Sequence, residues 1–219
     1  MAKLNTEYSK LNNYHNGDNF VFTIEAEPTI TDFQQLIDEP INNVASCRLN
    51  TPENFPHKMK KDGTITKRQR EYFTDSPEFE GKKVDYTMND EAVWNNCEHE
   101  WLYCLAYNGH IVKIGMTITS LCDRWSGSYS CGTSRAMKKG SCSTTNYIIT
   151  ECNFRAIRHH NMNVDIYGIC CPKKKTEETR FGVTKIIYAS TVRGLETMLT
   201  QRFHEKYGHK PVLCVQEGK

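Results

Sequence analysis

The sequence predicts an α/β (α+β) domain preceded by an N-terminal extension. Three features carry that expectation. Asn108-Gly109 lies between two alternating apolar runs, the strongest short-range signal of a β-hairpin. Helix-like stretches then enclose two strand-like ones between residue 146 and residue 207. Before them, Pro28, Pro40, Pro52, Pro56 and Pro77 interrupt residues 28–96 and leave room only for short elements. The reading therefore divides the 219 residues into an extension over 1–96 and a core over 97–219.

In chain order, Phe20-Val21-Phe22-Thr23-Ile24 reads as a short strand from its β-branched and aromatic content. Within 28–96 a helix is expected near Thr66, where Lys67, Arg68 and Arg70 stand beside Tyr72 and Phe73, a mix suited to a nucleic-acid surface or to a solvated helix. The core opens on a strand from Trp101 to Tyr107, turns at Asn108-Gly109 and returns from His110 to Gly115. A helix begins near Thr119 or Ser120. A loop of small and basic residues follows over 126–145, with Arg135, Lys138 and Lys139. Then come a helix over 146–158, a strand over 164–169, a charged turn at Lys173-Lys174-Lys175, a strand over 183–189 and a last helix over 191–207.

Composition narrows the function. Hydrophobic residues make up 38% and aromatics 11%, enough for a packed core. No apolar run approaches a membrane span and the N-terminus is polar, so the expectation is a cytoplasmic protein, neither exported nor membrane-embedded. In that compartment the ten cysteines are expected to be free thiols, and without a C-x-x-C pair they make a poor structural zinc site. The net charge of +2 means that any affinity for nucleic acid rests on local basic patches.

Hairpin register is the decisive local question. A three-residue loop (Tyr107, Asn108, Gly109) sets Tyr103 opposite Lys113, both on one face, and leaves Leu102, Cys104, Ala106, Val112 and Ile114 as a wholly apolar opposite face. A two-residue loop puts Lys113 into the apolar set, where an unpaired ammonium is costly. The three-residue register is therefore expected. In it, the Lys113 ammonium is the group that helps Tyr103 ionise. Glu196 stands four residues after Val192 and three before Leu199, at the edge of a stripe of Leu195, Leu199 and Phe203, where a carboxylate needs a cation or a donor.

Trp101-Leu102-Tyr103 and, nine residues on, Lys113-Ile114-Gly115 resemble the paired signatures of the GIY-YIG nuclease superfamily. Arg124 stands in the next helix where that family carries its arginine, and Glu196 in the last helix where it carries its glutamate. Trp101, Leu102 and Lys113 replace the first glycine, the isoleucine and the second tyrosine. The likeness covers residues 100–215 and is greatest to small type II restriction endonucleases, some of which carry a lysine as Lys113 does. Asn5-Thr6-Glu7-Tyr8-Ser9 and residues 211–216 add a weaker likeness to phage endonuclease II.

The resemblance implies a core of a small antiparallel or mixed three-stranded sheet flanked by helices. It also implies metal-dependent hydrolysis of phosphodiesters in double-stranded DNA, most simply by a type II restriction endonuclease with a short recognition site. A phage degradative or homing endonuclease and a non-catalytic DNA-binding module are the alternatives. In the implied site Tyr103 activates water, Lys113 assists it, Arg124 holds the scissile phosphate, and Glu196 holds one Mg²⁺, with Mn²⁺ able to substitute. Tyr129 and His110 are secondary candidates. Arg135, Lys138, Lys139, Lys67, Arg68 and Arg70 are candidate DNA contacts. Cutting both strands implies a homodimer or an assembly of dimers, in a bacterial cell or a phage-infected host.

Overall fold

The computed structural model describes residues 24–49, 61–62, 84–130 and 143–214. The expected helix near Thr66 and the candidate contacts Lys67, Arg68, Arg70, Arg135, Lys138 and Lys139 lie outside the described residues. So do residues 20–23 of the first expected strand; Ile24, which closes it, is helical.

Five strands form one fully antiparallel sheet. They are β1 (Asn42–Leu49), β2 (Val84–Met88), β3 (Glu100–Tyr107), β4 (His110–Thr117) and β5 (Val164–Cys171), in the order β2-β1-β5-β3-β4. The expected small sheet thus gains two strands from segments before residue 97. Around it stand α1 (Ile30–Gln34), α2 (Glu91–Trp94), a π-helix (Asp123–Ser128), α3 (Thr144–His160) and α4 (Val192–Tyr207). β6 (Lys174–Arg180) and β7 (Val183–Ala189) make a separate two-stranded ribbon. The charged run at 173–175 is thus the entry to a strand, and the strand at 183–189 pairs with it outside the main sheet.

The β3–β4 hairpin corrects the expected register. Its turn has two residues, Asn108 and Gly109, both left-handed at φ 48° and 83°, the backbone whose twist matches the strands it joins. Tyr107 faces His110 and Ala106 faces Ile111, but Leu105 faces Lys113: Val112 bulges out of the ladder. Tyr103 therefore lies opposite Gly115. The bulge resolves the cost that argued against a short turn, because one extra residue returns Lys113 to the Tyr103 face. Val112 changes sides with it, and Ile111 takes its place on the opposite face.

Both faces are covered. Leu102, Cys104, Ala106, Ile111 and Ile114 pack with Val192, Leu199 and Phe203 of α4 and Phe33 of α1. Tyr103, Leu105, Tyr107 and Val112 pack with Trp125, Tyr129 and, from α3, Ile148, Ile149, Cys152 and Ala156. The inward stripe of α4 thus runs Val192, Glu196, Leu199, Phe203, and Leu195 lies outside it, 37% exposed. Glu196 sits within the stripe, not beside it.

α4 lacks a side-chain cap of its own at Thr191. Its cap comes from β3: buried Glu100 accepts from the backbone N–H of Thr191 at 3.2 Å and of Val192 at 3.4 Å. A carboxylate at a helix N-terminus satisfies orphan donors and complements the helix dipole. β4 is an edge strand, yet the chain hides it. Ile111 donates to the Pro28 carbonyl and Ile30 to Gly109. Leu213 donates to the Val112 carbonyl freed by the bulge, and the Cys214 thiol bonds both the N–H and the carbonyl of Ile114 at 3.3 Å. The described cysteines are free thiols, as expected.

Glu27 ends up enclosed where the two flanking segments meet. Its Oε1 lies 3.8 Å from His209 Nδ1, while its buried Oε2 has no hydrogen-bond partner. Burial pushes its carboxyl up to about 7, and His209 opposes the shift only in part. The folded state therefore holds a proton that the unfolded chain releases near 4.5. Stability falls as pH rises from there to about 7, and the loss persists above it. Glu27→Gln is expected to raise the urea midpoint at pH 8 and to change it little at pH 4. Equal shifts at both pH values would mean that burial does not raise the Glu27 carboxyl.

Candidate active site

The site grows from one buried hydroxyl. Tyr103 is completely enclosed, and its ring lies across β4 over Gly115. A Cβ at residue 115 would stand 2.5 Å from both Cζ and Oη of that ring. The glycine of the second signature is there for space.

Oη of Tyr103 is bound by two groups from one short helix. Arg124 Nε donates to it at 3.2 Å, and Tyr129 Oη lies 3.0 Å away. Arg124 Nη2 also donates to Tyr129 Oη at 2.7 Å, and the guanidinium stands over the Tyr129 ring, 4.6 Å from its centroid. The π-helix makes this triangle possible. Residues five apart on an α-helix diverge by about 140°, which would turn Tyr129 away from Arg124. Here the Tyr129 N–H bonds the Arg124 carbonyl at 3.3 Å as well as that of Trp125 at 3.2 Å, which stacks the two residues on one face. Ser126, Gly127 and Ser128 are weak helix formers that permit the widening.

Residues not singled out by sequence brace the triangle. The Trp125 ring meets those of Tyr103, Tyr129 and Tyr86 edge-on at 5.0, 4.8 and 5.7 Å. The Tyr129 carbonyl accepts from Tyr86 Oη at 3.3 Å and Thr150 Oγ1 at 2.8 Å. Asn153 continues the chain by donating to Tyr86 Oη and accepting from Tyr107 Oη at 2.6 Å. Each of these polar groups is buried, so each needs the others. Their only sequence signal is aromatic, hydroxyl and amide residues scattered over four elements.

Charge surrounds the triangle unevenly. Burial first, then Tyr129, holds the Tyr103 hydroxyl well above the ordinary tyrosine range, with Arg124 working against both. The cation at that hydroxyl is thus Arg124, not Lys113 as expected. Lys113 is 8% exposed on the Tyr103 face, diagonal to Tyr103 across the hairpin. It acts on Glu196 of α4 and on the Cys214 thiol. Burial raises the Glu196 carboxyl, while Lys113, Arg124 and Arg193 draw it down. Arg124 from one layer and Glu196 from the other are therefore within electrostatic reach at β4. Tyr103, Tyr129, Arg124, Lys113 and Glu196 come together. His110 does not: it sits at the hairpin turn, its Nδ1 2.7 Å from the Glu27 carbonyl.

No protein-family model and no curated protein matches the chain. Among solved structures it is similar to the restriction endonuclease HPY188I in complex with product DNA, at 23% identity and a TM-score of 0.50, over 90% of this chain and 91% of that one. A mutant of bacteriophage T4 EndoII is a more distant match, at 12% identity and a TM-score of 0.40, over 81% of this chain and 96% of that one. The first likeness establishes a shared fold: antiparallel strands flanked by helices, as in that nuclease.

Gly115→Ala drives a methyl group into the Tyr103 ring. It is expected to cost roughly 1–3 kcal/mol of unfolding free energy and to alter the near-ultraviolet dichroism of the Tyr103–Trp125–Tyr129 cluster. Gly194→Ala on α4, where a Cβ meets nothing within 4 Å, should instead gain about 0.5–1 kcal/mol. Equal effects in urea titrations would show that space over residue 115 is not limiting.

Proposed function

We propose that this protein is a divalent-metal-dependent endonuclease that hydrolyses phosphodiester bonds in double-stranded DNA, a restriction-type enzyme of the GIY-YIG class with a short recognition site. The observation that carries the reading is the arginine-bridged tyrosine pair, Tyr103–Arg124–Tyr129, within electrostatic reach of the half-buried Glu196. In-line hydrolysis of a phosphodiester needs a group to take a proton from water, cations for charge gathering on phosphoryl oxygens, and help for the leaving oxygen.

Arg124 spends two of its five N–H donors on the tyrosines. Those left suit a phosphate, and the two hydroxyls hold the guanidinium plane in place for it. Tyr103 takes the proton from water as its phenolate. Because burial keeps that form scarce at neutral pH, Arg124 is what favours it. Tyr129 orients both partners and offers its hydroxyl to the phosphate.

The Glu196 carboxylate suits a metal. It is half-buried, its ionised form is disfavoured by desolvation, and the described residues give it no hydrogen bond or close ion pair. Among the described residues no group of three or more His, Cys, Asp or Glu converges on one point. A lone carboxylate fits Mg²⁺, which keeps several waters and takes its remaining ligands from phosphate oxygens. When bound there, Mg²⁺ or Mn²⁺ supplies positive charge at the phosphate and the leaving oxygen.

Incubation of the purified protein with phage genomic DNA and Mg²⁺, followed by sequencing of the ends, should yield cuts at one short motif, abolished by EDTA. Since Tyr103 titrates above 10, the cleavage rate under single turnover should rise about tenfold per pH unit from neutral pH to about 9. Tyr103→Phe should lose roughly 10²–10⁴-fold in rate and its residual rate should be flat with pH. A wild-type profile already flat at neutral pH would remove Tyr103 as the base. Glu196→Gln should bind the same DNA and fail to cut it; cleavage at the wild-type rate under limiting Mg²⁺ would exclude Glu196 as the metal ligand.

A further inference from the structure

The β6–β7 ribbon is built asymmetrically. β6 reads Lys-Lys-Thr-Glu-Glu-Thr-Arg, all polar, whereas β7 reads Val-Thr-Lys-Ile-Ile-Tyr-Ala. Charged residues are the usual protection of a strand whose edge stays in water. β7 lacks that protection, with Lys185 its only charge, and among the described residues its second edge is unpaired. Val183, Ile186, Ile187 and Tyr188 are 44–62% exposed, and Phe181 at the turn is fully exposed. A free-standing two-stranded ribbon is marginal in water, so this one is an incomplete sheet.

We propose that β7 completes that sheet with the β7 of a second copy of this chain. The two strands run antiparallel across a two-fold axis at Ile186, giving the order β6-β7-β7-β6. The proposal stands whether or not the protein cuts DNA.

The backbone fits this register. Phe181 and Gly182, both left-handed at φ 54° and 74°, form a two-residue turn, which makes Arg180 and Val183 the closing hydrogen-bonded pair. Alternation then turns the N–H and carbonyl of Thr184, Ile186 and Tyr188 to the free edge. The Thr179 and Thr184 hydroxyls, 2.9 Å apart, agree, since side chains approach most closely in the non-hydrogen-bonded pairs. An axis at Ile186 lets the two Ile186 exchange backbone hydrogen bonds and sets Thr184 against the partner strand's Tyr188.

Charge fits as well. Lys185, the only charged residue of β7, faces Glu178 of its own ribbon. Across the axis it meets isoleucine 187 of the second strand, so no like charges oppose each other. Charged β6 strands are left on the outside and apolar β7 strands in the middle. The contact is isologous and closes on itself, which gives a dimer and not a filament.

Sedimentation of the full chain tests this. The wild type should be a dimer at tens of micromolar. Ile186→Lys, which sets two ammonium groups against each other at the axis, should raise the dissociation constant by more than about tenfold. Ile186→Glu should do the same, and an equimolar mixture of the two variants should dimerise again. Thr176→Lys, on the outer strand, should leave the dimer intact. Circular dichroism checks that each variant keeps the fold. A monomeric wild type overturns the proposal. So does a dimer that tolerates Ile186→Lys, a mixture that fails to reassociate, or a dimer lost with Thr176→Lys. A monomer whose ribbon amides gain exchange protection only on duplex DNA also overturns it, with DNA as the occupant.

Discussion

A polar oxygen inside an aromatic core has to be satisfied or it destabilises the protein, and the Tyr103 hydroxyl is such an oxygen. The residues nearest it answer that requirement. Gly115 gives the ring room to lie flat on β4, the π-helix brings both Arg124 and Tyr129 to the oxygen, and Trp125 seals the rings together. Tyr129 then brings a second buried hydroxyl and a carbonyl of its own, which Arg124, Tyr86 and Thr150 meet. The same bonds that make the fold tolerable hold a guanidinium and two hydroxyls in one geometry. Packing and proposed chemistry are here one arrangement.

The second half of the site reaches it from the opposite layer. Glu196 belongs to α4, which packs on the Leu102 side of the sheet, while Arg124 belongs to the Tyr103 side. They come within reach because β4 is the last strand of the sheet and α4 is seated against it, its first turn held by Glu100 from β3. An interior strand would have kept the two layers apart. The cost of using an edge strand is an exposed backbone row, and segments around residues 28–30 and 213–214 cover it.

Much of this was legible beforehand, and the misses have physical causes. The hairpin, the last helix and the group Tyr103, Lys113, Arg124 and Glu196 follow from periodicity, one turn dipeptide and a family likeness. The register did not, because period-two reasoning assumes an unbroken ladder and Val112 breaks it. Lys113 was paired with the wrong partner for the same reason. β6 carries no strand signal, and its first residues read as part of a charged turn, because it is an all-polar strand without the apolar alternation that marks one. Tyr86, Thr150 and Asn153 are invisible locally, since their roles depend on partners from 21 to 67 residues away.

The π-helix carries a consequence that lies in chain length and not in chemistry. Arg124 and Tyr129 meet because the helix between them holds one residue more per turn than an α-helix would. Weak helix formers at 126–128 ease the widening, but they are not themselves the partners that meet. The number of residues between the two partners is what matters. This segment should therefore tolerate substitution well and deletion badly: removing Gly127 alone would let the helix relax to ordinary winding and swing Tyr129 off its partner. In such a segment the count of residues weighs more than their kind.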